Sequence, residues 1–421
     1  MIRQNFNADW TVEKGDGNSR MNSFLGNTQT KTVHLPYDAM IHEARTPGTK
    51  NGAQTGFYPG GEYIFQKHFT APQAWQGKPV SLVFEGVYQT ALVYLNGWLL
   101  TRNVNGYAEF TVEAGPYLKY GADNLLKVIA DNSLEPNSRW YTGSGIYRPV
   151  RLLVGNKVYL PQDTVRITTR EADEGFALLD VTAQVQSAST VTERVTLQQT
   201  ICREGTAVLT DRQNLLLQPG ESRTVSFRYC VDSPALWSPE DPNLYTSTMQ
   251  VLEGQEELDR EETSFGIRTL SIDAAHGVRI NGQTVKLRGA CIHHDNGILG
   301  AATLPDAEER RIRQLKEAGF NAIRSSHHPA GRALLDACDR YGVLVMDELS
   351  DVWNVRKNPY DYALYFEQNW KPTIQKMVAK DYNHPSVILY CVGNEISEAG
   401  SESGAETNRR LCNTFRELDP T

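Results

Sequence analysis

The sequence predicts a multidomain β and α/β protein, in which two antiparallel β-sandwiches precede a parallel sheet surrounded by helices. Two observations predict this order. Up to about residue 268, short runs of alternating apolar and polar residues are broken by Gly, Asn and Pro, which is typical of sandwich strands. From about residue 285, continuous apolar runs alternate with amphipathic helical segments, which indicates βα units around a sheet buried on both faces.

The first sandwich is assigned to residues 1–156. The Asn96-Gly97 pair predicts a two-residue hairpin, because both positions tolerate positive φ; a loop with no special turn is the alternative. The candidate strands are EYIFQKHF, VSLVFEGV, ALVYLNGWLL, LLKVIAD and PVRLLVG.

The second sandwich is assigned to residues 157–268, and the spacing of its strands fits a small immunoglobulin-like domain. The Pro-rich segment SPALWSPEDPNLY is expected at an edge or in a connection, since Pro cannot donate to a β-ladder. The candidate strands are VRITTR, ALLDVTAQVQ, RVTLQQTI, SRTVSFRYCV and TSTMQVL.

The third region is assigned to residues 269–421. We expect Asp306 to cap the first helix, and Gly319 and Gly342 to end the first and second helices. The segments follow in the order VKLRGA, DAEERRIRQLKEAG, FNAIRSS, AGRALLDACDRYG, VLVMDE, EQNWKPTIQKMVAKDY, VILYCVG and ETNRRLCNTFRELD.

This alternation fits both a (β/α)8 barrel and an open doubly wound sheet. No Gly-rich phosphate loop follows any of these strands, which weakens the nucleotide-binding alternative. Polar residues lie instead at the carboxyl ends of all four strands, where a barrel keeps its active site. These residues are His293, His294, Ser326, His327, Asp347, Glu348, Asn394 and Glu395.

Charge and composition argue against nucleic-acid and membrane partners. With 42 Lys and Arg against 50 Asp and Glu, the formal net charge is −8, and no basic run offers a footing for nucleic acid or an anionic membrane. No stretch approaches the roughly 20 apolar residues of a membrane span. The N-terminus MIRQNFNADW lacks an apolar signal region, although a removed signal peptide would leave the same sequence.

The cysteines lack the spacing of a disulfide framework or a zinc site. We therefore expect free, mostly buried thiols in a reducing compartment, and a cytoplasmic protein. The six are Cys202, Cys230, Cys291, Cys338, Cys391 and Cys412.

Glu395 is the first candidate for acid–base chemistry. It follows the apolar run VILYCV, so we expect a partly desolvated side chain, which favours the protonated form of a carboxyl group. Asn394 beside it can donate to a substrate hydroxyl. The alternative is that the pair begins a loop and caps the next helix.

Four histidines raise the question of a metal site, since imidazole is a common metal ligand: His293, His294, His327 and His328. No HxH or HExxH spacing accompanies them, so hydrogen bonding to a polyhydroxylated substrate fits better than a hydrolytic metal site. Satisfied structural histidines are the alternative. We assign no metal.

Two further carboxylates, Asp347 and Glu348, could supply a second group for paired acid–base work. We favour the alternative that they form a hydrogen-bonded bracket at the rim of the barrel. Trp353 could either stack on a sugar ring or pack in the core.

Several long motifs resemble those of glycoside hydrolase family 2, the family of β-galactosidases, β-glucuronidases and β-mannosidases. From residue 265 on they are FGIR, NGQTVKLRGACIHHD, GFNAIRSSHHPAGRALLDACDRYGVLVMDE and DYNHPSVILYCVGNE. Upstream, FYPGGEYIFQKHF, LNGWLL and NSRWYTGSGIYRPVRL resemble the family's sugar-binding, jelly-roll-like sandwich. The resemblance implies that the third region is the N-terminal half of a (β/α)8 TIM barrel.

The resemblance also implies roles for five residues. Glu395 matches the family's acid/base catalyst, and Asn394 matches the amide that contacts the sugar hydroxyl next to the reacting carbon. His327 and His293 match substrate-contacting histidines. Arg324 matches an arginine that supports the catalytic carboxylates.

The implied reaction is retaining exo-hydrolysis of a terminal β-linked sugar through a covalent glycosyl-enzyme. In the family the nucleophilic carboxylate lies on the seventh barrel strand, so we expect it outside these 421 residues and the chain alone to be inactive. A β-galactosidase is the first expectation, and a β-glucuronidase or another family 2 glycosidase is the alternative. A non-catalytic carbohydrate-binding protein is the alternative of another class.

Two departures from the family pattern concern specificity and cofactors. Well-known β-galactosidases and β-glucuronidases carry an acid six residues before the Gly of the GIYR-like motif, where this chain has Arg139. No acid-x-His follows Asp347 and Glu348 to match a magnesium site, so no cofactor is expected to be required; neither magnesium nor sodium has a matching motif. A carbohydrate substrate is the expected partner, and a homo-oligomer is compatible with the sequence.

Overall fold

The computed structural model describes residues 1–15 and 30–421, which form two antiparallel β-sandwiches followed by a four-stranded parallel sheet. The predicted fold class is therefore confirmed. In the described part of the chain, no helix has the length and apolar character needed to cross a membrane.

The first sandwich consists of ten strands in two antiparallel sheets. The strands are β1 Ile2–Asn5, β2 Trp10–Gly15, β3 Lys31–Val33, β4 Gly61–Thr70, β5 Val80–Phe84, β6 Thr90–Leu95, β7 Trp98–Asn103, β8 Phe110–Glu113, β9 Asp123–Asn132 and β10 Val150–Val154. One sheet has the order β1-β10-β5-β8 and the other β3-β2-β4-β9-β6-β7. The apolar side chains between them form one core, in which Trp10, Phe65 and Phe84 are fully buried.

The predicted hairpin joins β6 to β7. Asn96 has φ 52° and Gly97 has φ 89°, the two positive angles that a tight two-residue turn requires. The Asn96 side chain fixes the turn further, because its Oδ1 accepts from the Leu125 N–H at 3.1 Å. The hairpin prediction is confirmed.

The second sandwich packs two four-stranded sheets. Its strands are β11 Val158–Tyr159, β12 Arg166–Ala172, β13 Phe176–Ser187, β14 Glu193–Arg203, β15 Thr206–Leu217, β16 Ser222–Asp232, β17 Tyr245–Glu253 and β18 Glu256–Phe265. Strands β11, β12 and β16 pair with β13, and the other sheet has the order β15-β14-β17-β18. The Pro-rich segment connects β16 to β17, as expected, and its Trp237 indole N–H donates to the Asp339 carbonyl at 2.9 Å.

The third region begins with a small antiparallel sheet and continues as parallel βα units. The small sheet contains β19 Leu270–Asp273, β20 Gly277–Ile280 and β21 Gln283–Thr284. The parallel strands are β22 Gly289–Ile292, β23 Ala322–Ser325, β24 Leu344–Glu348 and β25 Val387–Cys391, in sequential order. The helices are α1 Pro305–Glu317, α2 Arg332–Tyr341, α3 Phe366–Asp381 and α4 Glu402–Leu418.

Short 3₁₀ helices occupy several connections of the described chain. They are Met40–His42, Gly52–Thr55, Gln73–Trp75, Gly115–Tyr117, Gly297–Leu299 and Tyr362–Leu364.

Two details of the third region differ from the sequence prediction. The first parallel strand begins at Gly289 rather than Val285, because the Val285 N–H donates to the Val278 carbonyl at 2.9 Å and so extends the preceding hairpin. Asp306 lies in the first turn of α1 without capping it. Leu304 is the N-cap residue there and Pro305, which lacks an N–H, begins the helix.

The predicted helix ends are confirmed. Gly319 follows the end of α1 with φ 90°, and Gly342 caps α2 with φ 65°. Both angles lie in the left-handed region that favours glycine.

A partly buried ion cluster joins all three regions. The Arg332 guanidinium of α2 donates to Glu109 of the first sandwich at 2.8 and 3.0 Å and to Asp163 at 3.0 and 2.5 Å. Burial alone would raise the pKa of Glu109, but Arg332 beside it lowers that pKa to about 2. The cluster thus ties the barrel helix to the sandwiches. The domain boundaries after residues 156 and 268 stay predictions.

We expect the substitution Gly342→Ala to destabilise the third region more than Gly277→Ala does. Both positions have positive φ, which costs an alanine roughly 1–2 kcal/mol. A Cβ at position 342 would also overlap the main chain of Pro239, whereas one at 277 would meet no atom within 4 Å. Thermal unfolding midpoints of the two variants and the parent test this. Equal midpoints for both variants would contradict it.

Candidate active site

The carboxyl ends of β22 to β25 lie side by side, because these four strands are parallel and sequentially paired. Polar residues that are far apart in sequence therefore meet at one edge of the sheet. The connection between β9 and β10 of the first sandwich, residues 133–149, reaches the same edge.

Asn394 is buried just after β25 and uses both ends of its amide. Its Nδ2 donates to Asp351 Oδ1 at 2.8 Å, and its Oδ1 accepts from Arg324 Nη2 at 3.1 Å. Its main-chain oxygen accepts from Lys357 Nζ at 2.6 Å. The amide is thereby held in one orientation at the rim of the sheet.

Glu395 follows with φ 44°, and its side chain is 69% exposed. The expectation of a partly desolvated carboxyl is therefore wrong. The apolar run before it belongs to β25, whereas Glu395 lies beyond the last paired residue, Cys391, where the sheet no longer covers it. Its Oε2 accepts from Arg139 Nη1 at 3.0 Å, so a cation from the first sandwich orients the exposed carboxylate.

Asp351 is hydrogen-bonded to three polar side chains at this edge of the sheet. Its carboxylate accepts from Arg139 at 2.7 and 3.2 Å, from Lys357 at 2.9 Å and from Asn394. Burial of Asp351 would raise its pKa, but the hydrogen bonds from these three residues outweigh it and leave the pKa lowered. The ionised form of Asp351 is thus stabilised, and it fixes the two residues that contact or adjoin Glu395.

Arg324 lies on β23 and forms the second charged group of the edge. Its guanidinium binds both oxygens of the fully buried Glu348, at 2.9 and 2.8 Å, and His327 Nδ1 lies 3.2 Å from Glu348 Oε2. Arg324 thus supports Glu348 and Asn394, while the cation on Glu395 is Arg139. Glu348 therefore holds Arg324 and His327 by hydrogen bonds at the rim of the sheet, which is the role that the sequence favoured over paired acid–base work.

Asp347 points to the other side of β24 and is also fully buried. Its Oδ1 accepts from the Ala330 N–H at 2.8 Å, and its Oδ2 lies 3.8 Å from Lys380 Nζ. Burial, reinforced by the nearby Asp381, raises the pKa of Asp347 well above its usual value. Asp347 thus holds the main chain of the loop after β23, as part of the hydrogen-bonded rim that the sequence favoured, and faces Lys380 of α3.

His293 lies beside the indole of Trp140, with ring centroids 5.0 Å apart and the planes nearly parallel. Its Nδ1 lies 2.8 Å from the Ser326 carbonyl, and its ring meets that of His327 edge-on at 5.5 Å. Burial lowers the pKa of His293, which favours the neutral imidazole. Trp140 itself donates its indole N–H to the Tyr107 hydroxyl at 3.0 Å.

Trp353 packs in the core, where its indole N–H donates to the Val392 carbonyl at 2.8 Å. This hydrogen bond fixes the main chain two residues before Asn394.

All six cysteines are free, but only Cys338 is buried and Cys230 and Cys291 are exposed. The expectation of mostly buried thiols is therefore wrong.

Within residues 1–15 and 30–421, no group of three or more His, Cys, Asp or Glu side chains could hold a metal ion. The expectation that no cofactor is required stays a prediction.

The structure brings four of the five expected site residues, Glu395, Asn394, Arg324 and His327, into one hydrogen-bonded network, with the fifth, His293, beside it. Sequence reasoning treated Arg139 only as a departure from a family pattern and passed over Asp351 and Lys357. An acid three residues after Glu348, at the same strand end, was the available signal for Asp351. The assigned catalytic and binding roles stay predictions.

The arrangement can move a proton and orient a polyhydroxylated ligand. An exposed carboxylate beside an arginine can donate or accept a proton, and amide, imidazole and indole groups around it suit sugar hydroxyls and the apolar face of a sugar ring. A cavity of about 50 Å³ between the sandwich and the barrel edge adjoins this network and is lined by Trp140, His327 and Asp351 among others.

Family models match almost the whole chain. A glycosyl hydrolase 2 galactose-binding domain-like model matches residues 10–176, and a glycosyl hydrolases family 2 model matches residues 158–268. The model of the glycosyl hydrolases family 2 TIM barrel domain matches residues 274–421.

Similar proteins agree with these matches. The chain is 37% identical to the β-galactosidase BoGH2A of Bacteroides ovatus, over 96% of the chain and 48% of the relative. It is 27% identical to a β-glucuronidase of Bacteroides fragilis, over 93% of the chain and 57% of the relative. A crystal structure of a glycosyl hydrolase family 2 member from Bacteroides cellulosilyticus superposes with a TM-score of 0.95 at 36% identity, covering all of this chain and 55% of that one. The chain thus spans about half the length of these relatives.

We expect Arg139→Met to destabilise the protein at pH 7 by roughly 1–3 kcal/mol, because it removes the charged donors to the ionised Asp351. A carboxylate whose folded pKa is lowered contributes stability above its unfolded pKa, near 4, and loses it as the pH falls through the folded pKa. The stability gap between parent and variant should therefore narrow below pH 4.

Urea unfolding between pH 7 and pH 3 measures this gap. Arg313→Met is the matched control, since the Arg313–Glu317 pair is exposed and should contribute no more than about 0.5 kcal/mol. A gap for Arg139→Met that stays constant, or widens, with falling pH would contradict the role of Asp351.

Proposed function

Because the chain belongs to glycoside hydrolase family 2, we propose that the whole protein is a retaining exo-β-glycosidase with Glu395 as its acid/base catalyst. The observation that carries the proposal is the exposed Glu395 carboxylate at the carboxyl end of a barrel strand, bound by Arg139 and preceded by the fixed amide of Asn394.

Glu395 first protonates the glycosidic oxygen and then, as a base, activates the water that hydrolyses the glycosyl-enzyme. In these 421 residues the carboxyl is open to solvent, as the leaving group and the water require. Arg139 orients the carboxyl through the hydrogen bond from its Nη1 to Glu395 Oε2. Asn394 retains one amide hydrogen for a sugar hydroxyl, since its other partners are Asp351 and Arg324.

A retaining mechanism needs a second carboxylate roughly 5 Å from the first. Glu348 is an unsuitable nucleophile, because it is fully buried and both of its oxygens bind Arg324. Asp351 is engaged by Arg139, Lys357 and Asn394. We therefore place the nucleophile on a part of the whole protein outside these 421 residues.

The proposed sugar is a terminal β-galactoside. It is supported by the name of a relative 37% identical over nearly the whole chain. A β-glucuronide is the alternative, because other relatives carry the name β-glucuronidase. The two sugars differ at C4, where the hydroxyl is axial in galactose and equatorial in glucuronic acid, and at C6, where galactose has a hydroxymethyl group and glucuronic acid a carboxylate.

For the whole protein, we expect Glu395→Gln to lower kcat/KM about 10²- to 10⁴-fold for a β-galactoside with an alkyl or sugar leaving group. The loss should be far smaller for a dinitrophenyl glycoside, whose leaving group departs without protonation. Steady-state kinetics with both substrates measure the difference. Glu402→Gln, an exposed carboxylate in the first turn of α4, is the control and should behave as the parent. Equal losses on both substrates would argue against a general acid at Glu395.

We also expect the whole protein to prefer an aryl β-galactoside over the matching aryl β-glucuronide by at least about 100-fold in kcat/KM. The reason is that a site built for one C6 group leaves polar groups unpaired with the other. Parallel assays of the two substrates measure the ratio. A reversed preference would make the protein a β-glucuronidase and leave the role of Glu395 intact, whereas no turnover of either would favour a binding protein.

A further inference from the structure

A small cavity lies behind the histidines of the candidate site. It has a volume of about 10 Å³, roughly the space of one water-sized sphere. Arg148 of the first sandwich, His294 after β22, His328 after β23 and Glu308 of α1 all line it. Two regions of the protein and three elements of the barrel therefore meet at this point.

Each of these four side chains has one buried polar atom without a hydrogen-bond partner among the described residues. The atoms are Arg148 Nε, His294 Nδ1, His328 Nε2 and Glu308 Oε2. The four residues are at least nine-tenths buried, with exposed fractions of 3%, 7%, 3% and 2%. A buried polar atom without a partner costs about 1–3 kcal/mol, so four at one cavity require an explanation.

In each histidine, the contact made by the other ring nitrogen shows which nitrogen carries the hydrogen. His294 Nε2 lies 2.9 Å from the Thr142 carbonyl, and His328 Nδ1 lies 3.3 Å from the Pro329 carbonyl, so those nitrogens carry the hydrogens. Burial lowers the pKa of His294 to about 3 and that of His328 well below its usual value. Both rings are thus neutral and present a hydrogen-bond acceptor to the cavity.

The remaining two groups can act as donors. Arg148 uses its terminal nitrogens on the carbonyls of Tyr107 and Pro329, at 2.7 and 3.0 Å, and this leaves the Nε–H facing the cavity. Glu308 Oε1 accepts from Asn296 at 3.0 Å, and its Oε2 lies 3.8 Å from Arg311. Burial raises the pKa of Glu308 even though Arg311 and Arg148 act to lower it. When protonated, the carboxyl of Glu308 can donate a hydrogen bond through Oε2.

We propose that this cavity binds one structural water molecule. Its two hydrogens bond His294 Nδ1 and His328 Nε2, and its oxygen accepts from Arg148 Nε and from the Glu308 carboxyl. Four partners in a polar cavity of this size are what a buried water requires. A metal cation would also suit two imidazoles and a carboxylate, but the guanidinium of Arg148 on the same cavity disfavours it.

The water links the first sandwich to the two histidines that directly follow the proposed sugar contacts. His294 follows His293 directly, and His328 follows His327. By fixing both buried rings against Arg148, the water holds the main chain on which His293 and His327 are carried. This consequence depends on the proposed function, whereas the water site itself does not.

A crystal structure of the whole protein at about 1.8 Å or better tests the site directly. We expect a density peak of one water about 2.6–3.2 Å from each of the four atoms. An unfilled cavity, a bound metal ion, or side chains that hydrogen-bond to each other across the cavity would overturn the proposal. None of these outcomes depends on whether the protein hydrolyses a glycoside.

Two variants of Glu308 test the donor. In Glu308→Gln the amide can still donate to the water and accept from Asn296, so we expect the water to remain and the thermal midpoint to fall by less than about 2 °C. In Glu308→Leu both hydrogen bonds are lost, and the midpoint should fall clearly further. Equal losses in the two variants would instead favour an ionised Glu308 paired with Arg311, and would overturn this hydrogen-bond assignment.

Discussion

The carboxylate of Asp351 is the interaction on which the candidate site depends. It lies partly buried just beyond β24 and accepts hydrogen bonds from Arg139, Lys357 and Asn394. Arg139 in turn binds Glu395, so a single ionised group fixes both the amide and the carboxylate at the end of β25. Without Asp351, Arg139 would keep only its bond to Glu395, and the side chain of Asn394 would keep only its bond from Arg324.

The same contacts make the first sandwich part of the candidate site. Its connection between β9 and β10 supplies Arg139 to Glu395 and Trp140 to His293, and Arg148 from the same connection reaches the Pro329 carbonyl. The Arg332 cluster holds the domains in the position that these contacts need. A separate barrel would keep Arg324 on Glu348 but lose the cation on Glu395.

Local patterns in the sequence predicted the fold well, because hydrophobic periodicity and glycine conformations act over a few residues. The hairpin at Asn96 and the helix end at Gly342 follow from this. The polar residues at the strand ends also identified four members of the hydrogen-bonded network, which are His327, Glu348, Asn394 and Glu395. The exposure of Glu395 was mispredicted because an apolar run describes its own strand and says nothing of the loop after it. Arg139 and Asp351 are 212 residues apart, and no local pattern connects them.

Chemical rescue of Glu395→Ala in the whole protein tests the central claim most directly. With a dinitrophenyl β-galactoside and added azide, an acid/base variant should form its glycosyl-enzyme, which azide then attacks without needing a general base. The account predicts accelerated turnover and a β-galactosyl azide product, identified by the coupling of its anomeric proton. An α-galactosyl azide would make Glu395 the nucleophile, and the absence of any rescue would remove it from the acid/base role.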